Sequence, residues 1–162
     1  MRKDIDLKDD CPACHSAGAR IEKERLQVRP AAEEERLLKQ WPIQIKLIGT
    51  VAPFLEDAEL LVAADCTAFS IKDFHARFLG DKKLLIGCPK LDGGMEYLEK
   101  FTEMFTNIPV RKLTVLRMEV PCCGGMAAIL KEAINRSGRN IPMDEIIIGI
   151  KGGVIAERPV NY

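Results

Sequence analysis

The chain has 162 residues, of which 24 are basic and 24 acidic, so its formal net charge at pH 7 is +0. With 47% hydrophobic residues, a chain of this length can bury one large core, and we expect one folded domain rather than two. A balanced charge offers no electrostatic attraction to phosphate backbones or anionic lipid, which argues against nucleic acid and membranes as partners.

The longest apolar runs, such as residues 60–64 and 146–150, are far shorter than the roughly 20 residues of a transmembrane helix. The first ten residues alternate charges without an apolar stretch or a small-residue cleavage site, so no secretory signal is readable. The sequence therefore predicts a cytoplasmic protein. In a reducing compartment, its six cysteines are more typical of metal ligands or reactive thiols than of structural disulfides.

Residues 1–40 are dense in charge and poor in large apolar side chains, apart from a helix-like stretch at 31–40. A segment of this composition cannot bury enough apolar surface to order itself. We therefore predict a charged N-terminal arm with a lead-in helix over residues 1–40, followed by an α/β domain over residues 41–162.

After Trp41-Pro42, short apolar runs alternate with helical periodicity. The predicted strands are residues 43–48, 60–64, 83–87, 113–120 and 145–150, and the predicted helices are 68–79, 95–105 and 126–134, with Gly138 at the C′ position of the last helix. Most strand runs are continuously apolar, as in parallel strands covered on both faces. The fold class predicted is α/β: an open, mainly parallel five-stranded sheet with helices on both faces, of the Rossmann-like or flavodoxin-like kind.

Four of the six cysteines follow predicted strands. Cys66 follows the second predicted strand, Cys88 the third, and Cys122-Cys123 the fourth. Because parallel strands end at one edge of a sheet, where open α/β folds bind ligands, we expect these thiols to lie close together. Such a set of thiolates selects an iron–sulfur cluster or zinc, whereas a single cysteine at a strand end is more often a small buried apolar residue.

The segment Val120-Pro-Cys-Cys-Gly-Gly125 combines a strand end, two thiols and two glycines directly before a helix. The helix dipole and the free N–H groups there lower the pKa of a thiol or hold an anionic cluster. A phosphate cradle is the less favoured interpretation, because the spacing fits neither common glycine-rich nucleotide motif. A vicinal disulfide between Cys122 and Cys123 is a further alternative.

Several neighbouring residues have two interpretations. Asp92 is expected to N-cap the helix that follows Cys88, and Lys90 is either a solvated lysine or a cation for a cluster or an acidic partner. Asp65 either caps a helix or lines the site. His75 is more typical of an ordinary helix-face histidine than of a ligand.

Cys11-x-x-Cys14-His15 matches the haem c attachment pattern, but that reaction requires export, for which no signal is readable. Two cysteines with this spacing also supply half of a zinc or cluster site. Cys11 and Cys14 are therefore candidate additional metal ligands, and the role of His15 stays open.

Several motifs together resemble a known family: WPIQ at 41–44, AADC at 63–66, FH at 74–75, GCPKLD at 87–92 and MEVPCCG at 118–124. They resemble the C-terminal domain of a family of ferredoxin-type (4Fe-4S) iron–sulfur proteins of anaerobic bacteria and archaea, over about residues 35–155. The resemblance implies electron transfer. It places Cys66, Cys88, Cys122 and Cys123 in matching motifs, likens Cys11-Pro12 to a linker element, and leaves Cys14 as an addition.

The chain lacks the C-x₂-C-x₂-C-x₃-C-P run of the N-terminal dicluster ferredoxin module that usually precedes this domain in the family. We therefore expect either a cofactor bound by the domain itself, a separate ferredoxin as redox partner, or a non-catalytic docking module. The leading hypothesis is a cytoplasmic iron–sulfur or zinc protein in electron transfer or redox sensing, with a homo-oligomer as an open possibility. The alternative is a thiol-dependent enzyme with Cys122 or Cys123 as nucleophile.

Overall fold

The computed structural model describes residues 38–161, all within the unit of the chain that begins at Leu37. The strands are β1 (Ala58–Ala64), β2 (Lys83–Gly87), β3 (Val110–Met118), β4 (Met143–Ile148) and β5 (Val154–Val160). They form one sheet in the order β2-β1-β3-β4-β5, in which the first four strands are parallel and β5 is antiparallel to β4. The predicted mainly parallel five-stranded α/β sheet is confirmed.

The helices are α1 (Thr67–Ser70), α2 (Pro89–Asp92), α3 (Gly94–Asn107) and α4 (Pro121–Ser137), with a π-turn at His75–Leu79 and 3₁₀ turns at Ile45–Leu47 and Pro53–Leu55. No helix within residues 38–161 is long and apolar enough to cross a membrane.

The two faces of β1 divide the core into two parts. Leu60 and Val62 pack in the cluster that contains the buried side chains of α3 and most of those of α4, whereas Leu61 and Ala63 pack with Phe74 and Phe78 around the π-turn. This alternation follows from the period of two along a strand. Because the connections cover both faces, β1 is apolar at nearly every position, which is the signal that predicted it.

Helix α3 shows why the helical periodicity was informative. Tyr97, Phe101 and Phe105 recur every four residues and are fully buried, with the rings of Phe101 and Phe105 stacked at 5.6 Å between centroids. The helix extends the predicted 95–105 by a residue or two at each end. Gly138 adopts φ 67° directly after α4, as predicted for a C′ glycine.

The predicted strand at 43–48 is wrong. Only Gln44 makes a parallel bridge, to Ile86, and the chain then turns through Ile45–Leu47. The turn buries Ile45 and Ile48, which are three residues apart, on one side. A short apolar run such as 43–48 is compatible with a helical turn as well as with a strand, so the sequence pattern alone does not distinguish them. The fifth strand is instead β5, which the sequence analysis missed because Glu157, Arg158 and Pro159 make it polar. Such residues are tolerated at an exposed sheet edge.

The predicted helix at 68–79 is also interrupted. Helix α1 ends at Ser70, and Asp73 adopts φ 61° before the π-turn begins at His75. A helix cannot continue through a residue with positive φ, so the amphipathic pattern is divided between two short elements.

Candidate functional site

The strand order creates a switch point between β1 and β3. The chain leaves β1 toward β2 on one side and later leaves β3 toward β4 on the other, so the two connections diverge at the carboxyl ends of these neighbouring strands. A crevice outside such a point is where open α/β sheets bind ligands. Cys66 follows β1 there, and Cys122-Cys123 follow β3.

Cys122 and Cys123 lie inside the first turn of α4 and not ahead of it. The helix begins at Pro121, not near Met126 as predicted, because proline at the first helical position has the required φ and no N–H to satisfy. Cys122 is exposed, Cys123 is buried with 3% of its surface accessible, and Cys66 is exposed at the N-cap of α1. The structure therefore presents two accessible thiols and one buried thiol at the switch point.

The thiols around the switch point influence one another electrostatically. Burial raises the pKa of the Cys123 thiol, and a backbone hydrogen bond with Met118 offsets part of that effect. The neighbouring thiols of Cys122 and Cys66 raise this pKa further. Since negative charge on Cys122 or Cys66 disfavours ionisation of Cys123, a cation next to these thiols would favour the Cys123 thiolate.

Cys88 lies at the end of β2, next to β1, in a loop braced by Asp92. The backbone N–H of Cys88 donates to Asp92 Oδ2 at 3.3 Å, and the Tyr97 hydroxyl donates to the same oxygen. The hydrogen bond from Tyr97 holds the pKa of Asp92 below its usual range. The predicted N-cap role of Asp92 is wrong: Gly93 occupies the N-cap of α3, and the Asp92 side chain points back to the Cys88 loop.

Tyr97 was not identified from the sequence. It is fully buried, and burial together with the Asp92 carboxylate raises the pKa of its hydroxyl far above the usual range, so it acts as a hydrogen-bond donor. The hydroxyl fits only because Gly87 has no side chain, since a Cβ there would lie 2.0 Å from the Tyr97 oxygen. No spacing motif links positions 87, 92 and 97, so only the fold reveals this group.

Asp65 stands between the ends of β1 and β2. Its backbone N–H donates to the carbonyl of Gly87 at 3.3 Å, and burial together with the Asp92 carboxylate raises the pKa of its side chain. Asp65 Oδ1 is the one buried side-chain nitrogen or oxygen among residues 38–161 without a hydrogen-bond partner. Asp65 therefore does not cap α1, whose N-cap shows no side-chain hydrogen bond, and it lines an apolar cavity together with Ala63 and Phe69.

Helix α2 and helix α4 meet beside Cys122. A shallow depression there is lined by Pro89, Lys90, Pro121, Cys122 and Gly125. A Cβ at Gly125 would lie 4.0 Å from Pro89 Cγ, whereas one at Gly124 would meet nothing within 4 Å, so neither glycine is required for close packing. Lys90 is exposed, as expected for a solvated lysine.

The donor chemistry of this edge suits a soft metal, because thiolates are the ligands that zinc and iron–sulfur clusters prefer. As arranged, however, no three histidine, cysteine, aspartate or glutamate side chains of the described residues converge to hold a metal ion. The four thiols thus share one edge without forming a closed coordination sphere. Cys11, Cys14 and His15 lie outside the described residues. His75 is exposed, on the π-turn.

Comparison with known proteins agrees with the fold. The family described as Rossmann-like domain matches residues 52–162. An uncharacterized protein of Archaeoglobus fulgidus is 33% identical over 117 residues, which cover 72% of this chain and 82% of that protein. No solved structure matches the chain. The matched region contains every strand of the sheet and all four thiols at its carboxyl edge, and the chain belongs to the Rossmann-like domain family.

Proposed function

We propose that this is a cytoplasmic redox protein that binds an iron–sulfur cluster, or alternatively zinc, through cysteine thiolates at the carboxyl edge of its sheet, and that it serves electron transfer or redox sensing. The proposed ligands are Cys66, Cys88, Cys122 and Cys123. The observation that carries the proposal is that three neighbouring parallel strands, β2, β1 and β3, are followed by these thiols at one edge of the sheet. Two of these strands, β1 and β3, form the switch point.

The electrostatics of the thiols support a bound cation. Burial and the neighbouring thiols of Cys122 and Cys66 raise the pKa of the Cys123 thiol, and a metal centre relieves that cost because it stabilises the thiolate form. Cys66 and Cys122 are exposed, so packing does not prevent their side chains from turning toward a metal. When bound, an iron–sulfur cluster supplies one-electron chemistry.

The residues around the thiols have defined roles in this proposal. Asp92 and Tyr97 hold the loop of Cys88, since both hydrogen-bond partners of Asp92 Oδ2 are fixed by the fold. The first turn of α4 directs the positive end of the helix dipole at Cys122 and Cys123, which favours negative charge on the thiols or on a cluster.

The test is anaerobic purification of the full chain, followed by iron, sulfide and zinc analysis and an absorption spectrum. We expect a brown protein with stoichiometric iron and sulfide, or a colourless protein with stoichiometric zinc. Cys66→Ser and Cys88→Ser should lose most of the metal while circular dichroism stays unchanged, because a hydroxyl is a poor substitute for a soft thiolate. Ser137→Ala, at the far end of α4, is the control. A protein without stoichiometric metal, or serine variants that keep it, would overturn the proposal.

A second candidate function is thiol catalysis with Cys122 as nucleophile. It is favoured by one observation: Cys122 is exposed in the first turn of a 17-residue helix, where the dipole activates a thiol. This candidate predicts a metal-free protein in which a single thiol reacts far faster with iodoacetamide than the other cysteines. Uniform reactivity would exclude it.

A further inference from the structure

An apolar cavity lies between the sheet and the connection from β1 to β2, where the predicted helix over 68–79 is interrupted. It has a volume of about 200 Å³, and its walls come from the end of β1, from β2, from α1 and from the start of the π-turn. The lining is almost entirely hydrocarbon, with Ala63 and Ile86 on the sheet and Phe69 and Phe74 on the connection. Such a space holds ordered water poorly, because a water needs two to four polar partners.

The size of the cavity limits what it can hold. An apolar cavity of about 150 Å³ engineered into another protein stays dry and binds benzene. The cavity described here is smaller than the roughly 300–1,000 Å³ of a pocket for a drug-sized molecule. It therefore suits one ring or one branched alkyl group that carries a short arm.

Asp65 supplies a polar contact at this cavity. It contributes to the lining, and its Oδ1 is buried without a hydrogen-bond partner within residues 38–161. A buried acceptor without a partner is costly, so a ligand that donates a hydrogen bond to this carboxyl group removes that cost. The arrangement favours a ligand with an apolar body and a hydrogen-bond donor at one end.

The charges of the lining select among such ligands. Of the described residues, no lysine or arginine lines the cavity, and Asp65 forms no ion pair with any of them. The one basic side chain of the described lining is His75, which is exposed and packs edge-on against the Phe74 ring at 5.4 Å between centroids. An unpaired carboxylate attracts an ammonium group and repels a carboxylate or a phosphate.

We propose that this cavity is a binding site for a small primary amine that carries one apolar group about the size of a benzene ring. The apolar group fills the space between Phe74 and the two strands, and the ammonium group donates to the carboxylate of Asp65. Phe69 lies at the mouth, since it lines the cavity and is 92% exposed. No cysteine of the described residues lines the cavity, so the inference does not depend on a metal bound by the thiols.

The test compares three ligands that share a ring and differ in the head group: 2-phenylethylamine, 2-phenylethanol and phenylacetate. Binding to the full chain is followed by ¹⁵N chemical-shift changes, and the site is identified by nuclear Overhauser effects from the ring protons to the methyl groups of Leu84 and Ile86. We expect the amine to bind with a dissociation constant of about 1 mM or lower, the alcohol about tenfold more weakly and the anion most weakly.

Two variants separate the parts of the site. Asp65→Asn keeps the shape but removes the charge, so the amine should lose its tenfold advantage while the alcohol still binds. Ile86→Ala removes hydrocarbon from the wall and should weaken amine and alcohol alike. The matched controls are Asp73→Asn, an exposed carboxylate outside the lining whose φ of 61° also suits asparagine, and Val51→Ala, an exposed apolar residue outside the lining. Both controls should leave binding unchanged.

The comparison of head groups on the wild-type chain stands even where a variant does not fold. Absent binding, equal affinity for amine and alcohol, ring contacts outside the cavity, or an amine advantage that survives in Asp65→Asn would each overturn the proposal. Metal analysis of the same protein decides the proposed function separately.

Discussion

The Tyr97 hydroxyl and the backbone N–H of Cys88 both donate to one oxygen, Oδ2 of Asp92. The tyrosine belongs to the buried face of α3 and the cysteine to the loop that ends β2, so the Asp92 carboxylate connects the core to the backbone that carries the Cys88 thiol. It accounts for the glycine at position 87, over which the hydroxyl passes.

Gly87→Ala should destabilise the protein by about 1–3 kcal/mol, the usual cost of overpacking a filled core. The new Cβ would lie 2.0 Å from the Tyr97 oxygen, 2.8 Å from Cζ and 3.0 Å from Cδ1 of Ile45. Urea denaturation measures the loss. Adding Tyr97→Phe to Gly87→Ala removes the closest of these contacts, so the double variant should be less destabilised than the sum of the two single variants. Additive losses would show that the hydroxyl does not limit position 87.

The buried carboxylate of Glu145 should stabilise the protein in a pH-dependent way. Burial alone would raise its pKa, but hydrogen bonds and charges from Arg117 and Arg158 outweigh burial and hold the pKa below the usual 4.5. A lowered pKa in the folded state means that the stabilisation is present above the unfolded value and is lost as pH falls through the folded value.

We therefore expect Glu145→Gln to cost about 3 kcal/mol at pH 7, because it leaves the largely buried Arg117 without a counter-charge. The difference in melting temperature between wild type and Glu145→Gln should narrow as pH is lowered below 4.5. Arg158→Ala should cost less than about 1 kcal/mol, because Arg158 is 61% exposed. If the difference in melting temperature between wild type and Glu145→Gln does not change with pH, the ionised carboxylate of Glu145 is not the source of the stabilisation.

Gly124 within α4 and Gly138 directly after it should respond to alanine in opposite directions. Gly138 has φ 67°, a conformation that costs an alanine about 1–2 kcal/mol, so Gly138→Ala should destabilise the protein by that amount. Gly124 is helical and a Cβ there meets nothing within 4 Å, so Gly124→Ala should stabilise by about 0.5–1 kcal/mol. Thermal denaturation of both variants decides the matter. If Gly124→Ala instead lowers the melting temperature, the protein needs glycine at this position for a reason other than packing.

In the metal-free protein, the four thiols of the carboxyl edge should react with iodoacetamide in an order set by exposure. Cys66 and Cys122 are exposed and should be modified first, and Cys123 last, because it is buried and burial raises its pKa. Timed quenching and peptide mass spectrometry measure the order. In urea the differences should disappear, and early modification of Cys123 in the native protein would contradict its placement.

The local patterns of the sequence determined the fold class and the edge that carries the thiols. Continuous apolar runs such as 60–64 require cover on both faces, and this makes the strands parallel and their carboxyl ends coincide. Cys66, Cys88 and Cys122 could therefore be assigned to one edge from their positions after strands alone. The C′ glycine at 138 was likewise readable, because its conformation depends on its immediate neighbours.

Contacts between distant segments decided the features that the local patterns did not predict. Residues 43–48 form a turn that buries Ile45 and Ile48 together in the core. Strand β5 pairs with β4 along its whole length, and Arg158 reaches Glu145 across the pair, a pairing that its polar sequence does not reveal. Asp92 turns back to Cys88 because Tyr97, held in the core, fixes its carboxylate. Each of these depends on a neighbour that tertiary packing supplies, and a local pattern carries no information about such a neighbour.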